Sequence, residues 1–518
     1  MEPRSSYDAV PYKSHALAYT HPASLAAMGA LFGLQAPSVD DCRVLELGCA
    51  TGGNVISLAT LLPNSSFIGL DASSRQIEEA KEVIETLGLR NVRVHCRDVL
   101  EIGPEFGEFD YIICHGVYSW VPPDVADLIL EICSRHLAPQ GIAYVSYNTY
   151  PGWHARAMIR EMMAFHVREI SDPQRRVEEA RAFLHVLAEL TPEQSGLYKT
   201  LLKQEESERE TDTDWYFFHE YLEDVNVPVY FHEFAARAEK KGLQYLGPAR
   251  FTPWEHNLPA RTEEMLKPLK DRILREQYLD FIGNRTFRRS LLCHAAVPVT
   301  STPRHEAVRD LYVIGNVWPV RSDPDLSSDA PEEFRAFSDG RVTTNRPMVK
   351  TALATLAAQR PRAIAFASLW SSVEARLSPG KDPGFTPDGL ADVLLTCALS
   401  NLVEFRVTPP RFTLDIVDRP LASPLARFQA ARNEMVTNLC HQLVQINDLD
   451  RLLLQHLDGT KNYEVLRCLV AEAVASGDLE LSDSKDIPIR EPEQVRETIA
   501  ASLAPSLQRI AMNALLVA

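Results

Sequence analysis

From residue 43 to residue 148, short apolar runs alternate with segments of helical periodicity, the pattern of a parallel sheet joined by crossover helices. The runs predict strands over 43–47 (RVLEL), 67–70, 92–96, 109–114 and 142–147. Each is followed at or near its end by a polar or small residue: Gly48, Asp71, Asp98, His115 and Asn148. Open α/β sheets bind ligands outside the carboxyl ends of their strands, so these residues mark one candidate crevice.

The pattern then changes. Residues 155–170 and 173–190 read as long helices rich in Arg and Glu, followed by a charged run over 203–214, and together they predict a helical insertion at 155–225. A helix is expected over 230–241, stopped by Gly242, with a strand over 243–246 and another in RRSLLCHAAV after Gly283 and Asn284. These late strands either complete the first sheet or begin a separate domain near 215. The run SDPDLSSDAPEEF predicts an exposed linker within 301–342. A small helix-rich, winged-helix-like unit is expected over 343–420 and a C-terminal helical domain over 421–518. The division is therefore 1–154 as the ligand-binding core, 155–225, 226–300 as the remainder of the sheet or a regulatory domain, 301–342, 343–420 and 421–518. No period of 20 to 50 residues repeats.

A chain of 518 residues exceeds what one hydrophobic core serves, which agrees with several domains. No stretch approaches the roughly 20 apolar residues of a membrane span. Residues 1–10 carry Glu2, Arg4 and Asp8 and no apolar core, so a secretory signal is not expected and a cytoplasmic location is. The nine cysteines form no C-x-x-C pair and read as reduced thiols, with no metal site expected. A net charge of −17 repels phosphate backbones and disfavours nucleic acid. The same field attracts a lysine-rich partner, or simply keeps the chain dispersed.

The turn after the first strand runs Glu46-Leu47-Gly48-Cys49-Ala50-Thr51-Gly52-Gly53-Asn54 and leads into a helix. Small residues at 48, 50 and 52 let backbone approach a ligand. The G-x-G-x-x-G spacing of dinucleotide turns is absent. The spacing E-x-G-x-A-x-G instead suits a methionine moiety over the loop, with Glu46 reaching its ammonium. Asp71 can accept from both ribose hydroxyls, or cap the following helix. Asp98 with Val99 can hold the adenine edge, and Ala72 lies beside Asp71.

Here the chain resembles the class I S-adenosylmethionine-dependent methyltransferases, and more closely bacterial proteins with a methyltransferase regulatory domain, a likeness shared with rickettsial protein lysine methyltransferases. It rests on THP at 20–22, VLELGCATGGN at 44–54, FDYIICHGVYSWVPP at 109–123 and YVSYNTYPGWH at 144–154. Later stretches agree: PVYFHEFAARAEKKGL at 228–243, FIGNRTFRRSLLCH at 281–294, and VTNLCHQLVQ with LLLQHLDGT near 436–460. The resemblance covers nearly the whole chain. It implies a Rossmann-like α/β sheet with a helical insertion and mainly helical C-terminal domains, S-adenosylmethionine as cofactor, and a cofactor set of Tyr12, Tyr19, His21, Glu46, Gly48, Cys49, Ala50, Gly52, Asn54, Asp71, Ala72, Asp98, Val99 and His115. Ala50 departs from the family, where glycine is usual.

On the acceptor side, methyl transfer requires a neutral nucleophile in line with the sulfonium and exclusion of water. An ammonium of reference pKa near 10.4 lies about three units from neutral at pH 7.4, roughly 4 kcal/mol, which an aromatic, desolvated pocket offsets. His115, Tyr118 and Trp120 after the fourth strand, with Asn148, Tyr150 and Trp153 after the fifth, supply such a wall. Each tryptophan reads equally as packing, and His115 reads as a backbone-contacting residue in preference to a base. Tyr12, Tyr19 and His21 precede the first strand and either form a lid or pack against helices. Glu220 either draws in a substrate lysine or lies on the surface. The fourth strand is not followed by D/N-P-P-Y/F, which argues against a DNA base as acceptor. The expected acceptor is a lysine side chain of a protein or peptide, with no membrane insertion and a homodimer left open. The alternatives are a small-molecule methyltransferase and a cofactor-binding regulatory module without turnover.

Overall fold

A computed structural model describes residues 6–256, 258–336, 340–377, 385–482, 489 and 491–518. Met1 to Ser5, half of the segment read for a secretory signal, lie outside the described residues. Seven strands form one sheet: β1 (Arg43–Leu47), β2 (Ser66–Asp71), β3 (Val92–Cys96), β4 (Phe109–Cys114), β5 (Leu137–Asn148), β6 (Leu243–Pro248) and β7 (Phe287–His294). Their order is β3-β2-β1-β4-β5-β7-β6. All neighbours run parallel except β7, which is antiparallel to both β5 and β6. The late strands thus complete the sheet begun at residue 43.

The order reverses direction between β1 and β4, so a crevice opens at their carboxyl ends. β1 reads as unbroken apolar residues around Glu46 because both faces are covered, and four of its five residues are buried. One face packs under the helices Pro22–Leu31, Gly53–Leu61 and Ser74–Thr86. The other packs under Pro123–His136 and Phe231–Lys240. The insertion consists of helices Trp153–His166, Pro173–Leu190, Leu197–Arg209 and Asp214–Tyr221, with a core of its own around Met163, Leu184, Phe217 and Phe218. Val10 packs against that core, so the N-terminal segment bridges insertion and sheet.

The segment expected as a linker is largely ordered structure. Residues 301–342 contain β8 (Tyr312–Gly315), β9 (Val317–Pro319), β10 (Glu332–Ala336) and the start of β11 (Arg341–Thr344). Val308, Val313, Val317 and Phe334 are buried and continue the core of the first sheet face. The acidic, Ser- and Pro-rich run occupies the loop between β9 and β10 over 322–331, its last three residues, Glu332 to Phe334, open β10, and the flanking strands are too short to show a period-2 pattern. β8 lies between β12 (Ile364–Ala365) and β13 (Val403–Arg406), with helices Pro347–Gln359, Phe366–Arg376 and Pro387–Leu399 around it. The backbone N–H of Val407 donates to the carbonyl of Ala23 at 3.1 Å, fixing this unit to the catalytic domain. The C-terminal unit has its own core, formed by helices Pro424–Ala430, Asp448–His456, Tyr463–Ser476 and Pro492–Met512 and a hairpin of β14 (Met435–Thr437) and β15 (Leu443–Gln445). Among the described residues no helix is long and apolar enough to cross a membrane.

Candidate active site

The turn after β1 alternates backbone hand. Gly48, Ala50 and Gly52 have φ of 71°, 48° and 77°, so amides and carbonyls point by turns into and away from the crevice. The loop is held from three directions. Gly48 and Cys49 N–H donate to Leu70 O at 2.8 and 3.0 Å, Ala50 N–H donates to Asp71 Oδ2 at 2.9 Å, and Gly53 N–H donates to Ser14 Oγ at 2.7 Å. At Gly53 a Cβ would overlap the Ser14 carbonyl, and at Gly48 it would overlap Val117 Cγ2, so both glycines are sterically required. Cys49 is buried beneath the loop, its thiol pushed well up by burial; it shapes the turn and has no ionised form to offer.

Asp71 receives the Ala50 amide on one oxygen and the Ser73 amide on the other, at 2.9 Å each. Burial raises its carboxyl, opposed by these amides. Lone pairs remain on both oxygens for a diol. Ala72 and Asp98 are exposed at the neighbouring strand ends, and Val99 is half-buried. Asp98 caps its own turn through Leu100 N at 3.0 Å. This edge is open enough for a nucleoside to lie across it.

Glu46 is the unusual group. It is 4% exposed, and burial lifts its carboxyl to about 8 against the opposing effect of the Asn54 amide. Asn54 Nδ2 donates to Oε1 at 2.9 Å, while Oε2 is buried without a hydrogen-bond partner. An orphaned carboxyl oxygen beside the partly buried, glycine-rich loop fits an incoming ammonium, which supplies the missing donor. The residues present therefore fit the methionine and ribose ends of S-adenosylmethionine.

His115 is half-buried, with Nδ1 at 2.9 Å from Tyr144 Oη and 3.1 Å from Ser146 Oγ, and burial lowers its pKa to about 3. It is neutral and too weak a base to take an ammonium proton. Tyr19 stacks over Tyr144 at 6.0 Å and lies 6.1 Å from His115, so it forms a roof over the β4 end. His21 does not reach the crevice as a ligand: its Nδ1 caps the helix Pro22–Leu31 by accepting from Ala23 N at 3.0 Å. Tyr118 is likewise removed from the acceptor wall. It is 1% exposed and packs edge-on against Phe234 at 5.3 Å, in the core of the opposite sheet face. The short loop after β4 turns it inward and leaves Trp120 outward.

Trp120 is half-buried and meets Trp153 edge to face at 6.5 Å. Trp153 is 2% exposed with Nε1 unpartnered, and Asn148 Nδ2 is likewise buried and unpartnered. Tyr150 is half-buried and stacks on His154 at 4.0 Å. Tyr12 packs against Trp215 at 4.8 Å, and Tyr7, which sequence reading missed, stacks on His219 at 4.4 Å. The phenols of Tyr7 and Tyr12 are both raised by burial first, and Asp71 and Glu223 act on Tyr7 while Glu220 acts on both. The N-terminal segment therefore spans from the ribose-side carboxylate to the insertion. Glu220 keeps partial solvent access yet is ringed by protein, and burial raises its carboxyl to about 7, opposed by Arg156 and Arg209. Arg156 in turn lies 5.7 Å from the Trp153 ring. His441, 2.8 Å from Asn54 Oδ1, and Asn226, whose neighbour Val227 donates to Ser119 O at 2.7 Å, are further site neighbours that sequence reading missed; His441 lies within the VTNLCHQLVQ stretch, but the sequence does not show what it contacts.

Comparison with known proteins adds three family matches: a methyltransferase domain over 38–204, a predicted methyltransferase regulatory domain over 213–294, and the PKMT C-terminal winged helix domain over 418–515. The winged-helix match thus falls on the C-terminal unit. An uncharacterized protein of Rickettsia prowazekii is 34% identical over 523 residues, covering 99% of this chain and 93% of that protein. The structure of PKMT2 from Rickettsia typhi in complex with AdoHcy superposes with a TM-score of 0.87 at 31% identity, covering 98% of this chain and all (100%) of that one. A second PKMT2 structure from the same organism gives 0.86, also at 31% identity and with the same coverage.

Proposed function

The chain belongs to the S-adenosylmethionine-dependent methyltransferases that join a methyltransferase domain to a regulatory domain and a PKMT-type winged helix, and from that premise we propose that its acceptor is a lysine side chain of a protein. The observation that carries this reading is Glu220, an acidic group with its carboxyl raised to about 7 among Tyr7, Tyr12 and Tyr216. Ionised, it attracts an ammonium. With that pKa it is also a stronger base than an ordinary carboxylate, and so better matched to an ammonium losing its proton.

The cofactor supplies an electrophilic methyl group on sulfonium sulfur. In this reading Glu46 Oε2 accepts from the ammonium of its methionine end, and Asp71 accepts from the ribose hydroxyls. Trp120, backed edge to face by the buried Trp153, forms a wall that guides the lysine ammonium by cation–π attraction and excludes water once it is neutral. Tyr150, stacked on His154, borders the entrance, and the unpartnered Asn148 Nδ2 offers a donor to an oxygen of the incoming acceptor chain. With the cofactor held there, these residues would align a neutral amine with the donor, the ammonium proton having left first toward Glu220 or water.

The test is incubation with labelled S-adenosylmethionine and fractionated bacterial protein, then acid hydrolysis. Label in N-methyl-lysine is expected; label confined to small molecules, or lost in base as an ester, overturns the lysine assignment. Glu220→Gln is expected to lower turnover at pH 7 by about 10²-fold, at the low end for loss of a general acid–base group, with S-adenosylhomocysteine affinity unchanged.

A further inference from the structure

The hairpin β14–β15 of the C-terminal unit carries a five-residue loop, Asn438 to Gln442, that enters the catalytic domain. The loop is built, not loose: Asn438 Oδ1 accepts from Cys440 N and Gln442 N at 3.0 and 2.9 Å, Leu439 N–H donates to Ala514 O at 2.9 Å, and the buried Arg406 donates to Cys440 O at 2.7 Å. At its tip His441 adopts φ 62° and is 0% exposed. Its Nδ1 lies 2.8 Å from Ser57 Oγ and its Nε2 lies 2.8 Å from Asn54 Oδ1.

An amide oxygen only accepts, so Nε2 carries the proton and Nδ1 accepts from the Ser57 hydroxyl, a neutral tautomer. Burial holds the ring near pKa 3, in agreement. Asn54 Oδ1 also accepts from Leu17 N at 3.0 Å and is 3.1 Å from Thr20 Oγ1. With donors gathered on its oxygen, the Asn54 amide has one orientation, and Nδ2 must face Glu46 Oε1. That contact leaves Glu46 Oε2 as the open acceptor.

We propose that His441 is a positioning residue for the cofactor, through which the C-terminal winged-helix unit orients Asn54 and Glu46 to receive the cofactor's ammonium. This rests on Glu46 Oε2 being the ammonium site. Docking of the C-terminal unit and retention of the methionine end of the cofactor are then coupled through one chain of hydrogen bonds, Ser57–His441–Asn54–Glu46. The adenosine end, on Asp71, lies outside that chain.

Calorimetry on the full-length protein with two probes separates this from a general packing role: S-adenosylhomocysteine, and 5′-methylthioadenosine, which lacks the amino-acid end. His441→Ala is expected to weaken S-adenosylhomocysteine about tenfold while leaving 5′-methylthioadenosine within twofold, the loss of one buried hydrogen-bond link. His441→Gln, whose amide N–H replaces Nε2–H, is expected to recover most of the loss. Ser57→Ala, a smaller change that keeps the ring in place, gives the same selectivity in weaker form if the alanine variant does not fold. Equal weakening of both probes, or no change in a folded variant, overturns the proposal. Glu46→Gln separates the two readings: if it spares S-adenosylhomocysteine, the ammonium site and this inference fall together. If it weakens that ligand selectively while His441→Ala does not, only the inference falls.

Discussion

Between Glu46 and Asn54 the chain satisfies nearly all its own polar groups, with β2, the N-terminal segment and the C-terminal hairpin each contributing partners. Around Trp120 and Trp153 it does not: Asn148 Nδ2, Trp153 Nε1 and both amide atoms of Asn226 are buried without partners among the described residues. An unmet buried donor or acceptor costs about 1–3 kcal/mol. The first region accepts that cost at one atom, Glu46 Oε2, and the second at several. Under the proposed assignment the cofactor side is thus preorganised for a ligand of fixed shape, and the acceptor side would be completed by what enters it. A site of the second kind draws its specificity from a partner that supplies the missing hydrogen bonds.

The largest effect is expected at Asp71, because its carboxylate fixes the loop and, in the proposed assignment, receives the ribose hydroxyls. Asp71→Ala removes the acceptor for Ala50 and Ser73 N–H together with any ribose bonds, and should weaken S-adenosylhomocysteine by about 2–3 kcal/mol. Calorimetry on a folded variant with unchanged affinity would remove Asp71 from the site. Next is Trp120, on the incomplete side. Trp120→Ala should lower turnover about tenfold without altering cofactor affinity, and Trp120→Phe should retain more, as a smaller aromatic face keeps part of the cation attraction. A core tryptophan behaves otherwise, costing about 3–5 kcal/mol of stability on truncation, so melting temperature and turnover on both variants separate the cases.

A smaller effect tests the one unsatisfied atom of the preorganised side. Glu46 has a carboxyl near 8 in the free protein, so at pH 7 it is largely protonated, with Asn54, Val55 and Asp71 as its neighbours. An ammonium bound at Oε2 favours the carboxylate and lowers that pKa. Binding then releases a proton, and S-adenosylhomocysteine affinity rises with pH between about 6 and 8 and levels above the free-state pKa. Proton release is read by calorimetry in buffers of differing ionisation enthalpy. Glu46→Gln should abolish it, and proton uptake by the wild-type protein would contradict the assignment. Folding carries the opposite sign: a carboxyl raised in the folded state is a stability deficit that grows as pH rises from the unfolded value near 4.5 toward 8.

The contrast also explains what could be read from the chain. The cofactor turn and its strand ends were legible because backbone needs small residues at fixed spacing and parallel strands need apolar runs, both local signals. His21 and Tyr118 looked equivalent to their neighbours in sequence, yet one caps a helix and the other turns into the core, choices made by packing several residues away. The contacts of Tyr7, Asn226 and His441 were not legible for a related reason: each reaches the site from a distant segment, and His441 meets Asn54 across 387 positions of the chain. The strands of 301–342 were masked by a polar loop lying between them.

The smallest expected effect concerns Ala50, the one cofactor-loop position where the chain departs from the family's usual glycine. Ala50 holds φ 48°, in the left-handed region, which costs a residue with a Cβ about 1–2 kcal/mol relative to its favoured backbone. Ala50→Gly removes that cost but returns about 0.5–1 kcal/mol to the unfolded chain as backbone entropy. The two terms nearly cancel, leaving a net gain of about 0.5 kcal/mol. The Ala50 N–H to Asp71 bond does not depend on the side chain, so S-adenosylhomocysteine affinity should stay within twofold. Gly48→Ala is the opposite experiment. Its φ is 71° and its added Cβ would meet Val117, so strain and overlap act together and the loop must move. Affinity measured on both variants reads the stiffness of the loop directly. If Ala50→Gly instead weakens the ligand tenfold, the methyl group is itself a contact surface, and the cofactor side is shaped at this position by a side chain and not by backbone alone.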